Sequence, residues 1–379
     1  MRTEQNRWTE SRGWEPAPPG KLGESAQLVF LFGSRDVLKS QAHNDLVRKA
    51  FPQAHLLGCS TAGEIYGTRV SDDSLVTTAV QFDHTQVRGA RIRMREVKDS
   101  YQAGERLARA VDKKGLVHVF VLSDGLKING SDLVRGLAEN LPTEVSITGG
   151  LSGDGANFLE TLVLWDGPAE REVVAIIGFY GDSLNVGYGS LGGWDSFGPE
   201  RLITRSEGNV LYELDGKSAL DLYKKYLGDH AKGLPATGLL FPLSLRMKPG
   251  ETAVVRTILS VNDQDKSMVF AGDVPQGAYA RLMKANFDRL IDGSIGAAKT
   301  SFGTPGSASP ELAVLISCVG RKLVLKQRIE EEVEGVREVM GPRCTLAGFY
   351  SYGEISPFTP RARCELHNQT MTITTFSES

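Results

Sequence analysis

One order of events, strand then helix then strand then glycine-rich turn, is written three times along this 379-residue chain. That recurrence constrains the fold more than any single motif. The first copy opens with LVFLFGS (28–34), a continuous apolar run of strand length, as expected for a strand buried on both faces. Val37, Leu38, Ala42, Leu46, Val47 and Ala50 follow at helical spacing, and AHLLG then leads into a turn running from Gly58 to Ile65. The second copy opens with VHVFVLSDG (117–125). Its helix carries Leu133, Val134, Leu137 and Leu141 on one face, stops at Pro142, and is followed by EVSITGG and the turn GGLSGDG (149–155). The third opens with ELAVLISCVGR (311–321), places Ile329, Val333, Val336 and Met340 on a helix, and delivers CTLAG and a turn from Gly348 to Ile355. The first and third turns share one pattern, a glycine, four variable residues and Gly-Glu-Ile.

A β-α-β order gives parallel strands with helices packed on them. Further β-rich runs follow each turn: 74–82, 159–165, 172–180 and 370–376. Their alternation of apolar residues with Thr and Gln suits strands with one wetter face, so the sheets are expected to be mixed. The expected class is therefore α/β, with repeated β-α-β units and two domains. Between 181 and 260 the pattern loosens, and a hairpin or strand is followed by a helix starting near Ser218. A helix is also expected over 277–292, with Leu282, Met283, Phe287, Leu290 and Ile291 on one side. Residues 1–25, with Trp8 and Trp14, read as a mobile arm.

Glycine is the compositional outlier, at 42 residues, and its excess fits turns that approach a ligand closely. A net charge of −3 gives no electrostatic reason to expect nucleic acid or an anionic membrane. No apolar run reaches bilayer-spanning length and the N-terminus has no apolar core of a secretory signal. The four cysteines, Cys59, Cys318, Cys344 and Cys364, are far apart, which points to a reducing cytoplasm rather than a disulfide scaffold or a zinc site.

GYGSLG (187–192) has dinucleotide-loop spacing, but GWDSFGP follows it and no helix can start there. There is no G-x-S-x-G elbow, so a hydrolase would have to use Cys59 or Ser152 with partners assembled by the fold. Against catalysis, Cys59 reads first as a small, half-buried packing residue, which free cysteine usually is. Glu64 and Glu354, in the two matching turns, either fix their own loops or face a ligand from two half-sites; Asp154 stands in the same position between turn chemistry and binding. The six histidines have no metal-ligand spacing. A single His could still ligate haem iron, as could a Tyr or a Cys, and His230, between a helix end and Pro235, is the most accessible of the histidines.

GCSTAGEI, GGLSGDG, GWDSFGPE with VLYELDGKSALDLYKKYLG, SCVGR, FYSYGEISP and LHNQT, in this order, together resemble the FIST sensory proteins. The chain departs from that pattern at Asp195-Ser196, where a proline is expected before the Phe. The resemblance implies a FIST N domain over 28–217 and a FIST C domain over 218–379. It also implies a cytoplasmic sensor of amino-acid-like molecules or haem, possible nitric-oxide sensing, and output through a partner such as a histidine kinase or a cyclic-di-nucleotide enzyme. The ligand-binding positions it implies are Cys59, Ser60, Thr61, Gly63, Glu64, Gly149, Gly150, Gly153 and Asp154 in the first domain. In the second they are Cys318, Arg321, Tyr352, Gly353, Glu354 and Asn368. Arg321 follows the C-terminal end of a buried strand, where open α/β sheets bind ligands, and its guanidinium is expected to fork onto a ligand carboxylate or onto Glu354.

Overall fold

The structure, a computed structural model, describes residues 1–248, 253–302, 309–358 and 362–379. The three repeats fold into three units of one design. In each, two apolar strands run parallel: Leu28–Gly33 with His55–Ser60, Leu116–Ser123 with Ser146–Leu151, and Leu312–Cys318 with Thr345–Ser351. The helices Gln41–Ala50, Gly130–Asn140 and Ile329–Met340 make the crossovers. An antiparallel strand then returns beside the first strand of each pair: Ser74–Gln81, Val173–Tyr180 and Met371–Glu378. The sheets are mixed, as the alternation in these last strands implies.

No unit completes its own sheet. The segment after each glycine turn crosses to a neighbour. Glu64–Tyr66 pairs with Thr345–Ser351 of the third unit, Val163–Trp165 with His55–Ser60 of the first, and Gly353–Pro357 with Ser146–Leu151 of the second. The exchange is cyclic, so the three sheets close around a pseudo-threefold axis. One large apolar cluster accordingly mixes residues from all three units, including Ile65, Val121, Leu151, Leu315 and Ile355.

An inserted antiparallel sheet separates Leu184–Leu191 from the helix Phe287–Ser301. It runs in the order Val254–Arg256, Leu243–Arg246, Tyr279–Lys284, Asp195–Glu207, Val210–Leu214, Ser267–Phe270 and Ile258–Asn262. The helix Ala219–Leu227 packs on it, with Ser218 as N-cap accepting from the Asp221 N–H. The sheet has its own core around Ile203, Leu220, Tyr223, Met268 and Phe270.

Two expectations are corrected. Residues 1–25 do not form a mobile arm: Arg2–Thr9 is a strand paired along its full length with Ser74–Gln81. The Glu4 carboxylate accepts the N–H groups of Gly20 (2.8 Å) and Leu22 (2.7 Å), and Trp8 packs on His43 with ring centroids 4.2 Å apart. Over 277–292 the chain is not one helix, because Tyr279–Lys284 is drawn into the inserted sheet and the helix starts at Phe287. The Asn286 side chain caps that helix by accepting from the Arg289 N–H. Sheet pairing there outweighs a helical spacing that spans only two turns.

Candidate functional site

The three glycine turns meet at the pseudo-threefold axis. Gly149 and Gly348 lie in register with Val121 and Leu315, and a Cβ on either would sit 1.9 Å from the neighbouring carbonyl oxygen. Gly58 holds the same place against Leu31. Only glycine lets the paired strands come this close before they turn. Four residues on in each turn, a backbone N–H is handed to the next unit. Ala62 donates to Tyr350 O (2.8 Å), Gly153 to Ser60 O (2.9 Å) and Tyr352 to Leu151 O (3.2 Å). This is a closed ring of backbone bonds, and Gly153 sits so close to it that a Cβ would be 3.1 Å from the Ala62 nitrogen.

Glu64 and Glu354 hold equivalent positions, paired with Phe349 and Gly150; Val163, paired with Cys59, holds the third. Both carboxylates are fully buried. Glu64 accepts from the hydroxyl of Thr61 and from Ser74 through its N–H (3.1 Å) and Oγ (2.6 Å). Glu354 accepts in the same way from Ser351 Oγ (2.6 Å) and from Thr370 N (3.2 Å) and Oγ1 (2.9 Å). Burial pushes the two groups up to about 7 and about 8, against the hydrogen bonds, which favour the charged form. Each therefore ties its own turn to the strand that follows. Ser60 Oγ accepts the Leu162 N–H at 2.8 Å, and Gly63 leaves room for the Lys322 ammonium, which donates to Ala62 O (2.8 Å) and to Asp72.

Arg321 does not fork onto Glu354. Its guanidinium is fully buried and pairs with Glu332 on the third crossover helix (2.7 Å). It also donates to Leu290 O (2.7 Å), Ser294 Oγ (2.8 Å) and Gly192 O (2.5 Å). Glu332 in turn accepts from Ser317 Oγ and Tyr350 Oη. The network is satisfied without a ligand and joins the third unit to Gly192, beside the inserted sheet.

A cavity of about 710 Å³ opens past the carboxyl ends of the parallel strands of the second and third units. Such strand ends are where open α/β sheets bind ligands, and the volume is in the usual range for a small-molecule site. The second unit supplies the loop 125–129, Leu151, Ala156 and Phe158; the third supplies Cys318, Val319, Gly320, Leu323 and Tyr352. The inserted sheet supplies Asn209, residues 257–259 and residues 270–272, and the segment 233–236 with Leu239 completes the wall. Asp124 anchors the first loop: its carboxylate accepts from the N–H groups of Leu126 (2.8 Å), Lys127 (2.9 Å) and Glu172 (3.0 Å). Asp154 anchors the next, accepting from Phe158, Leu159 and Glu160, each at 2.9 Å, and from the Tyr352 hydroxyl.

Of the positions expected to bind ligand, Cys318 and Tyr352 are on this wall, and Asp154 supports Tyr352 from behind. Cys59, Ser60, Thr61, Gly63, Glu64, Gly149, Gly150, Gly153, Arg321, Gly353, Glu354 and Asn368 do not line it. Asn368 is buried, and neither of its side-chain amide atoms has a partner among the described residues. Lys127, Phe158, Thr257 and Phe270 are wall residues that sequence reasoning missed. Lys127 follows the second unit's first strand by four residues, a positional signal that would have found it. Thr257 has no such signal, because it reaches the cavity from the inserted sheet.

Cys59, Ser152 and His230, the residues expected to carry nucleophilic or haem chemistry, do not line the cavity. Cys59 is fully buried and its thiol is pushed up by burial and then by Glu64. Ser152 Oγ donates to Ser123 O at 3.0 Å and has no imidazole beside it. His230 lies exposed on a short 3-10 helix with its ring 5.2 Å from that of Phe241, and no histidine is on the cavity wall. The imidazole expected to ligate haem is thus off this wall, while Cys318 and Tyr352, of residue types that can also ligate haem iron, are on it. No cluster of three metal-ligating side chains occurs among the described residues, and no helix there is long and apolar enough to cross a membrane.

A mixed α/β body with a mainly apolar chamber at its strand ends belongs to the class of small-ligand binding folds. Residues 27–217 match the FIST N domain and residues 219–357 the FIST C domain, in that order. The chain belongs to the FIST family, whose domains are small-ligand sensory domains. It is similar to an uncharacterized protein of Methanocaldococcus jannaschii, 24% identical, with the match covering 83% of this chain and 64% of that one. The chain thus spans just under two thirds of the length of that relative. Among solved structures, cyanuric acid hydrolase from A. caulinodans aligns over 99% of both chains at 8% identity with a TM-score of 0.39, too low to carry an argument about activity.

Proposed function

We propose that this FIST protein senses a small molecule bound in the 710 Å³ cavity and relays its presence to a signalling partner rather than transforming it. The observation that carries this reading is the composition of the wall. It comes from three parts of the chain, the second unit, the third unit and the inserted sheet, so a bound molecule touches all three at once. Ligand contacts of that kind favour the arrangement in which the sheet sits closed on the strand ends, and a change in that population alters the surface shown to a partner. A histidine kinase or a cyclic-di-nucleotide enzyme is the partner class proposed, with the cytoplasm as the place. Cys59 is fully buried, the Ser152 hydroxyl is engaged by Ser123 O, and neither lines the cavity, which favours sensing over hydrolysis.

Leu323→Trp tests the assignment, since Leu323 is 36% exposed on the wall and a larger indole there narrows the chamber. Small molecules retained by the isolated protein are read by native mass spectrometry. A library of metabolites is screened by thermal shift against wild type and variant. Stabilisation seen in wild type and lost in Leu323→Trp supports the site; hits that stabilise both equally place binding elsewhere.

A further inference from the structure

The wall of the cavity is mainly apolar, with Ile128, Leu234, Ile258, Phe270 and Val319 among its residues and the neutral amides of Asn129 and Asn209 beside them. Among the described residues it carries no aspartate, glutamate, histidine or arginine, and its one charged side chain is the exposed Lys127. No carboxylate approaches the Lys127 ammonium to ion-pair distance among the described residues, although the chain has many such pairs elsewhere. The backbone beneath it is fixed, because Asp124, 2% exposed, accepts the Lys127 N–H. Thr257 also lines the wall, but its hydroxyl oxygen is buried away from the cavity and has no hydrogen-bond partner among the described residues, so it offers a ligand no contact.

Resting on the sensory reading above, we infer that the ligand is an apolar molecule carrying one anionic group, a monocarboxylate in its simplest form, with Lys127 as counter-ion. An apolar wall around a single cation selects by charge sign as well as by bulk. A cationic ligand meets Lys127 with no carboxylate to offset it. A neutral molecule of the same body fills the chamber but leaves the ammonium without its anion. A dianion has one charge with no partner on the wall, and a buried unpaired charge is costly.

Sodium octanoate, 1-octanol and octylammonium chloride serve as matched probes, titrated by calorimetry into the full chain. The expected order in wild type is octanoate, then octanol, then octylammonium. Lys127→Met is expected to weaken octanoate by about tenfold or more, while octanol stays within about twofold. Octanoate binding no tighter than octanol in wild type, or unaffected by Lys127→Met, overturns the anionic-ligand inference while octanol binding that Leu323→Trp abolishes preserves the cavity. Failure of all three probes, or binding indifferent to Leu323→Trp, overturns the cavity reading and this inference with it.

Discussion

Tyr352, in the turn that closes the third unit, donates its phenolic hydroxyl to Asp154, in the turn that closes the second. Its ring stacks on Phe158, with centroids 4.4 Å apart. Burial and then this hydrogen bond to Asp154 push the phenol well above its ordinary pKa, so it remains a donor at any physiological pH. One contact thus sets the spacing of two units and fixes one side of the cavity.

Tyr352→Phe keeps the ring and removes the donor. It is expected to cost about 1–3 kcal/mol of stability, because Asp154 loses a buried partner. It is also expected to loosen the Phe158 wall. Urea denaturation reads the first effect and the affinity for a cavity ligand reads the second. An unchanged midpoint with unchanged affinity contradicts both.

The buried Arg321–Glu332 pair makes a sharper prediction. Arg321→Met leaves Glu332 charged and fully buried, and about 3–5 kcal/mol of stability is expected to go. The double variant Arg321→Met with Glu332→Leu is expected to lose less than the single one, because no buried charge is stranded. Denaturation of both variants decides; a double variant worse than the single one refutes the charge argument.

Stability is expected to depend on pH through Glu64 and Glu354. Folding raises both pKa values above the ordinary 4.5, so the folded chain keeps protons that the unfolded chain releases. Their contribution is full below about pH 4.5 and is lost as pH rises through about 7 and about 8. The melting temperature of wild type should therefore fall between pH 5 and pH 8.5 more steeply than that of Glu64→Gln/Glu354→Gln. Parallel slopes in the two proteins dismiss the linkage.

The turns themselves can be tested by adding one methyl group. Gly149→Ala and Gly348→Ala each drive a Cβ into a backbone carbonyl of the adjacent strand, where nothing flexible can give way. Loss of soluble folded protein is expected for both. Gly216→Ala, with φ +70° and open space around it, is the control and is expected to cost only about 1 kcal/mol.

Deleting residues 1–15 removes the strand Arg2–Thr9 and bares the edge of Ser74–Gln81. A lower melting temperature and a tendency to aggregate are expected, since an open strand edge templates pairing with other chains. A truncated protein as stable and monodisperse as the full chain means that this strand contributes nothing.

Each β-α-β unit was legible in the sequence because its signals are local. Leu28–Gly33 and Leu312–Cys318 are short apolar runs, and Ile329, Val333, Val336 and Met340 step along one helix face. The inserted sheet was poorly legible: its strands pair over long sequence separations, as Asp195–Glu207 does with Tyr279–Lys284. The same distance hid Thr257 and gave Arg321 an unexpected partner, since Glu332 sits one helix away and Glu354 already had Ser351 and Thr370.

The sequence by itself determined that three glycine turns end three buried strand pairs, because period, strand length and the need for glycine at close approach are properties of a few neighbouring residues. Tertiary structure alone decided what those turns do. Their backbone groups are satisfied by one another around the axis, so the turns form a packed hub, and the open chamber lies to one side where the inserted sheet faces the second and third units. Which surfaces face each other across a cavity depends on how distant segments close their hydrogen bonds, and no local pattern encodes that.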